Sequence, residues 1–292
     1  MPSNYKNFTI VTTFFALWLA VSFEQQTEDF LAYMLIFSFG ILHGANDLKL
    51  VQSLHGGRKS ISFFKTAIYY ILIVGVGVIL FYFIPVFGLA VFILFSGYHF
   101  GEQHLEKIFK KRSPLRGSAF LSYGMLILFL LFLANPDEVS LIIKDMTGIY
   151  LNATVYEYSF AVCLLIFSGC SFALISVKEN YKIFIKEVFY IVVFFVVFKT
   201  ASLLWAFSIY FILWHSLPSL IDQIIYLYGS FNKKSIWMYL KSSLFTWIIS
   251  LVGLGILYLI FNSEEKLFLS VFFSFLAAIT FPHVLVMSKL RK

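Results

Sequence analysis

The residues best equipped for chemistry in this chain are histidines placed in apolar surroundings. Of the six histidines, four lie inside long apolar segments: His43 in FGILHGANDL, His99 in SGYHFGEQH, His215 in FILWHSLPS and His283 in TFPHVLVM. An imidazole in hydrocarbon is costly and is normally kept where it faces a bundle interior and serves a function. Four of them at matched depth point to one shared ligand. A metal ion is the ligand that needs ring nitrogens from several helices converging at about 2 Å. The competing reading is four unrelated histidines, each bonded to a carbonyl or hydroxyl, and it leaves their common depth unexplained.

The elements that must position them are membrane helices. The chain has 292 residues, 60% of them hydrophobic, 20% aromatic and 13% charged, with a mean hydropathy of +0.88. A soluble domain carries about 25% charged residues. The apolar segments run for about 17 to 25 residues, the length a helix needs to cross hydrocarbon, whereas a β-barrel would show short alternating segments. The pattern predicts spans near 8–23, 29–50, 61–84, 86–108, 116–135, 154–177, 183–199, 201–228, 236–261 and 266–288. Residues 1–292 therefore read as a single polytopic membrane domain, an all-α integral membrane protein of about ten transmembrane helices. Stretch 136–148 is too short and polar to cross and reads as interfacial. The first span reads as a permanent helix, because Lys6 is its only nearby basic residue and VSFEQQ lacks a small-residue cleavage pattern. Cys163 and Cys170 share one apolar segment and read as packing residues.

Charge sets the orientation. With alternating spans, the N-terminus and the even-to-odd loops collect 19 of the 22 basic residues, leaving Lys144, Lys199 and Lys266 for the other side. The basic side is cytoplasmic by the positive-inside rule, so both termini are expected inside, with the chain multi-pass in the cell inner membrane. The net charge of +7 then reports topology and contact with an anionic leaflet rather than nucleic acid. In this topology the four histidine-bearing spans all descend from outside to inside, and the histidines lie roughly 20 to 24 Å below their outer ends. They share a plane in the cytoplasmic half.

Carboxylates follow three of the four histidines on the same helix face: Asp47 after His43, Glu102 after His99 and Asp222 after His215. They read either as supports that orient a ligating imidazole or as interfacial anchors paired with lysines. His55, in a Gly-rich basic loop, reads as solvated. His104 is rotated by about 140° from His99 on a regular helix and reads as a supporting or interfacial residue. Pro218 and Pro282 free carbonyls near Trp214 and Ala278, which is tolerated where helices face a cavity.

HGAND (His43 to Asp47), YHFGE (Tyr98 to Glu102), WHSL (Trp214 to Leu217) and FPH (Phe281 to His283) resemble motifs of the bacteriorhodopsin-related protein and Blh family. These are bacterial and archaeal membrane β-carotene 15,15'-dioxygenases that cleave β-carotene into two retinals, with iron held by membrane histidines. The resemblance covers most of the chain in the expected order. It implies Fe(2+) bound by His43, His99, His215 and His283 as the catalytic centre, β-carotene drawn from the bilayer, O2 as co-substrate, and delivery of retinal to a rhodopsin. The chain departs from the family at Pro218 and Ser219, where another histidine is common, and at His104, where an acid is common.

An all-nitrogen ligand set suits Fe(II), Zn(II) or Cu, and open coordination positions would let Fe(II) engage O2. The implied rod-like substrate would enter from lipid into an aromatic tunnel, for which Tyr98, Tyr210, Trp205 and Trp214 flank the histidines. Two other classes use the same residues. A b-type haem protein pairs axial histidines on facing helices and would show a Soret band. A metal-ion or proton transporter needs a polar path to both faces.

Overall fold

A computed structural model describes residues 5–54, 63–109, 113–174, 177–261 and 265–290, and no strand occurs among them. The chain opens with α1 (Tyr5–Ser22) and α2 (Gln25–Leu35), which widens into a π-helical stretch, Ile36–Gly40. The second predicted span is then interrupted. Residues 43–46 form a turn before α3 (Asp47–Leu54). Next come α4 (Phe63–Phe83) and α5 (Pro85–Leu105), where Pro85 occupies a first-turn position that needs no N–H. After α6 (Leu115–Ala134), stretch 136–148 forms the short helix α7 (Pro136–Thr147), ended by Gly148 at φ 77°, a left-handed conformation that suits glycine. Then follow α8 (Ala153–Leu174), α9 (Val177–Thr200) and α10 (Leu203–Ile209), a second π-helical stretch at Tyr210–Ser216, α11 (Leu217–Tyr228), α12 (Lys233–Phe261) and α13 (Glu265–Leu290).

Seven helical stretches among the described residues are long and apolar enough to cross a membrane: Phe63–Phe83, Pro85–Leu105, Leu115–Ala134, Ala153–Leu174, Leu203–Tyr228, Lys233–Ile260 and Val271–Leu290. The protein is a multi-pass, all-α membrane protein. The first, second and seventh predicted spans are not in this set. The second is broken by its turn, and the seventh carries the charges of Lys182, Lys186 and Glu187 at its start and of Lys199 at its end.

The bundle is organised around α6, whose residues Ser122 to Leu128 are buried in an unbroken run. Lipid offers no hydrophobic drive for helices to associate, so close approach rests on small residues. Gly97 and Gly101 of α5 face α6, and a Cβ on Gly101 would lie 1.8 Å from the Phe120 carbonyl oxygen. Gly124 of α6 returns the contact, since its Cβ would lie 1.8 Å from the Gly97 oxygen. This backbone contact lies on α5 immediately beside His99. By contrast α4, α8 and α12 present Val, Ile, Leu and Phe outward, as helices at a lipid boundary do.

Candidate metal and substrate site

The four histidines meet. The ring centroids of His43 and His283 are 4.6 Å apart, His99 and His215 4.8 Å, His43 and His215 5.4 Å, and His99 and His283 5.4 Å. All four are buried. His43, His215 and His283 each offer a ring nitrogen, and these donor atoms lie within 4.8 Å of one another. Phe100 packs against the His215 ring at 4.6 Å, and Phe211 stacks on that ring at 5.6 Å.

Local sequence explains how these rings are aimed. In HGAND the helix gives way to tight turns, with the amides of Gly44, Ala45 and Asp47 donating to the carbonyls of Ile41, Leu42 and Gly44. His43 Nδ1 donates to the Gly40 carbonyl. Gly44 lies beside His283, whose Nδ1 would be in ordinary contact, at 3.6 Å, with a Cβ there. The Ala45 carbonyl accepts from the Thr246 hydroxyl at 2.5 Å. Asn46 donates to the Tyr239 carbonyl at 3.2 Å and accepts from Ser242 at 2.9 Å, which ties the turn to α12. Asp47 then accepts from His283 Nδ1 at 3.0 Å and from the Tyr70 hydroxyl at 3.0 Å. Bonds at both Nδ1 atoms select the tautomer with a bare Nε2. The Nε2 atoms of His43 and His283 are buried with no hydrogen-bond partner among the described residues. Buried polar atoms left this way are rare in proteins and suit a ligand that contributes no hydrogen of its own, as a cation does.

The π-helical stretch at Tyr210–Ser216 carries His215 and ends just before Pro218. Proline supplies no N–H to the preceding turn, and the wider π geometry absorbs that loss. Gln103 donates to the His215 carbonyl at 2.8 Å. Gln223 donates to the His43 carbonyl at 2.8 Å and accepts from Tyr239 at 2.8 Å. Tyr70, Gln103, Gln223 and Tyr239 were missed by sequence reasoning. Their signal was that two amides and two phenols stand in apolar segments, where an unbonded polar group is costly.

Asp47 and Asp222 have partners other than the histidines they follow. Asp47 serves His283 rather than His43, because the turn at residues 43–46 ends the regular helix on which a four-residue spacing would apply. Glu102 lies beside the Tyr98 hydroxyl. Asp222 pairs with Lys107 at 3.4 Å, as an interfacial anchor does. His104 is turned away from the site: its Nε2 lies 2.8 Å from Glu187 and its ring stacks on Tyr123 at 4.8 Å. His55 lies outside the described residues.

The histidines border an apolar cavity of about 420 Å³. Its aromatic lining is phenylalanine, including Phe92, Phe100, Phe132, Phe207, Phe211 and Phe273, with Tyr70. The four aromatics expected there do not line it. Trp214 donates to the Thr13 hydroxyl at 3.0 Å and Trp205 to the Ala16 carbonyl at 3.1 Å, so both indoles anchor α1. Tyr98 packs on Phe120, and Tyr210 lies between Phe100 and Phe194. Chain neighbours of a histidine point about 100° away from it on a helix, toward other elements.

The fold and site define a multi-pass helical membrane protein with a buried histidine cluster beside an apolar cavity. Residues 34–291 match the family model of beta-carotene 15,15'-dioxygenase, and the chain belongs to this family of carotenoid-cleaving dioxygenases. Among curated proteins and among solved structures, none matches.

Proposed function

We propose that the protein cleaves β-carotene at its central double bond with O2, giving two molecules of retinal, at an Fe(2+) held by His43, His99, His215 and His283. The observation that carries this reading is the convergence of the four imidazoles beside the apolar cavity, with buried Nε2 atoms on His43 and His283 that have no hydrogen-bond partner among the described residues. The reaction balances without a further reductant: one C=C bond breaks and each of its carbons takes one oxygen atom. Iron bound there would supply the one-electron chemistry that lets O2 react with a spin-paired polyene.

The protein's own share is binding and orientation. Gly40 and Asp47 hold the His43 and His283 rings through Nδ1, and Tyr70 holds Asp47. Gln103 and Gln223 secure the backbone at His215 and His43. The phenylalanine walls exclude water and keep the polyene at the histidines, where positioning contributes most of what a protein can add to such a step. Neither a general acid nor a general base is required. Retinal formed here would leave into the bilayer, from which a rhodopsin could take it.

In cells that accumulate β-carotene, expression is expected to bleach the pigment and yield retinal. Intact β-carotene in the presence of iron-loaded protein and oxygen refutes the activity, and a Soret band in the purified protein redirects the histidines to haem.

The same reading includes ten spans with both termini cytoplasmic in the inner membrane, supported by the 19 to 3 division of basic residues. Reporter fusions at either terminus are expected to be active only with cytoplasmic reporters; a periplasmic terminus overturns the topology.

A further inference from the structure

The cavity has two unlike ends. Phe63 and Ile71 of α4 are 52% and 67% exposed, and Phe245 and Ile249 of α12 are 72% and 54% exposed, yet all four line the cavity. On helices whose other outward residues face lipid, this makes a lateral mouth between α4 and α12. The opposite end is blind. Val139 and Ile143 of α7 line the cavity and are buried, with Met146 half-buried beside them. Helix α7 follows directly on α6 and packs against α5 and α13. It is held there by the Ser140 hydroxyl, which donates to the Leu151 carbonyl at 2.6 Å and meets the Tyr156 hydroxyl at 2.9 Å.

The histidines lie between these ends. The cavity face of α5 runs from Leu89 to His99, and that of α13 from Phe273 to His283. Ten residues of helix on each give a blind arm about 15 Å deep, comparable with one half of the extended substrate. We infer that α7 is the stop that selects which double bond is cut: the leading ring of the carotenoid rests against Val139, Ile143 and Met146, and the polyene trails past the histidines to the α4–α12 mouth. This inference rests on the carotenoid-cleaving reading and adds the specificity-determining residues to it. A shallower or deeper stop slides the polyene, so a different bond meets the histidines.

The test is product analysis with purified protein and β-carotene. The double variant Val139→Ala with Ile143→Ala deepens the blind arm, so the leading fragment becomes longer than retinal and the trailing one shorter. The ratio of retinal to these unequal aldehydes is expected to fall at least about tenfold, since a single methylene in an apolar pocket is worth about that much discrimination. Ile249→Ala at the mouth is expected to leave the ratio unchanged, whatever it does to the rate. If the double variant does not accumulate, Met146→Ala decides, because its half-buried side chain contributes less to packing. An unchanged ratio in the α7 variants, or an equal shift from Ile249→Ala, overturns the stop while leaving the activity intact. A wild-type protein that does not cleave β-carotene removes the activity and the stop together.

Discussion

Alanine at His43, His99, His215 or His283 is expected to strip iron from the purified protein and abolish β-carotene cleavage. Each imidazole would supply a bond that its neighbours cannot replace, since the cavity beside it is lined mainly by phenylalanine and aliphatic side chains and the carboxylate of Asp47 is held by His283 and Tyr70. The loss should exceed the roughly 10- to 100-fold range associated with removing a supporting partner. Asp47→Asn should fall within that range: it keeps the size of the side chain but removes the charge that holds His283 Nδ1–H. Tyr70→Phe should cost less again, since Asp47 keeps its bond to His283. His55→Ala should be close to neutral. Metal analysis and turnover measured on the same preparations check the series. Four alanine variants that keep their iron would refute the centre, and retention by His99→Ala alone would reduce the ligands to the three histidines whose nitrogens lie within 4.8 Å of one another.

Gly101→Ala and Gly124→Ala are expected to be nearly as damaging, although neither residue touches substrate. A Cβ at either position would lie 1.8 Å from a carbonyl oxygen of the opposing helix. Backbone cannot rotate out of the way as a side chain can, so α5 and α6 must part. Overpacking of this kind costs about 1 to 3 kcal/mol or more. Because α5 carries His99, Phe100 and Gln103, the displacement also pulls one imidazole and the tether of the His215 carbonyl out of place. Lower thermal stability in detergent together with lost iron is the expected pair of results. Gly169→Ala on α8, where an added Cβ meets nothing within 4 Å, should be neutral or slightly stabilising because alanine favours helix. Unaltered melting of Gly101→Ala would show that α5 and α6 are not held by this contact.

Much of this protein is legible in its sequence because the relevant physics is local. A segment that must live in hydrocarbon has to be apolar and long enough to satisfy its own backbone hydrogen bonds, so composition and segment length determine the all-helical membrane class. A histidine in such a segment stands out against that background, and His43, His99, His215 and His283 could be singled out one segment at a time. HGAND and YHFG are equally local, and they carry the family resemblance.

Tertiary structure decided the partners. Spacing along one helix places Asp47 under His43, but the π-helical stretch and the turn at residues 43–46 end the regular helix, and packing of α3 against α13 delivers the carboxylate to His283. Asp222 and His104 likewise follow histidines in sequence and find Lys107, in the turn after α5, and Glu187 of α9. Trp214 and Tyr98 are the immediate neighbours of site histidines, and helical rotation sends them to α1 and α6 while phenylalanines from distant segments form the cavity. A sequence sets which groups cannot be left alone in hydrocarbon; which of them satisfy one another depends on how the helices approach and rotate, and here that was decided by glycine contacts and π-helical stretches that a 3.6-residue period does not contain.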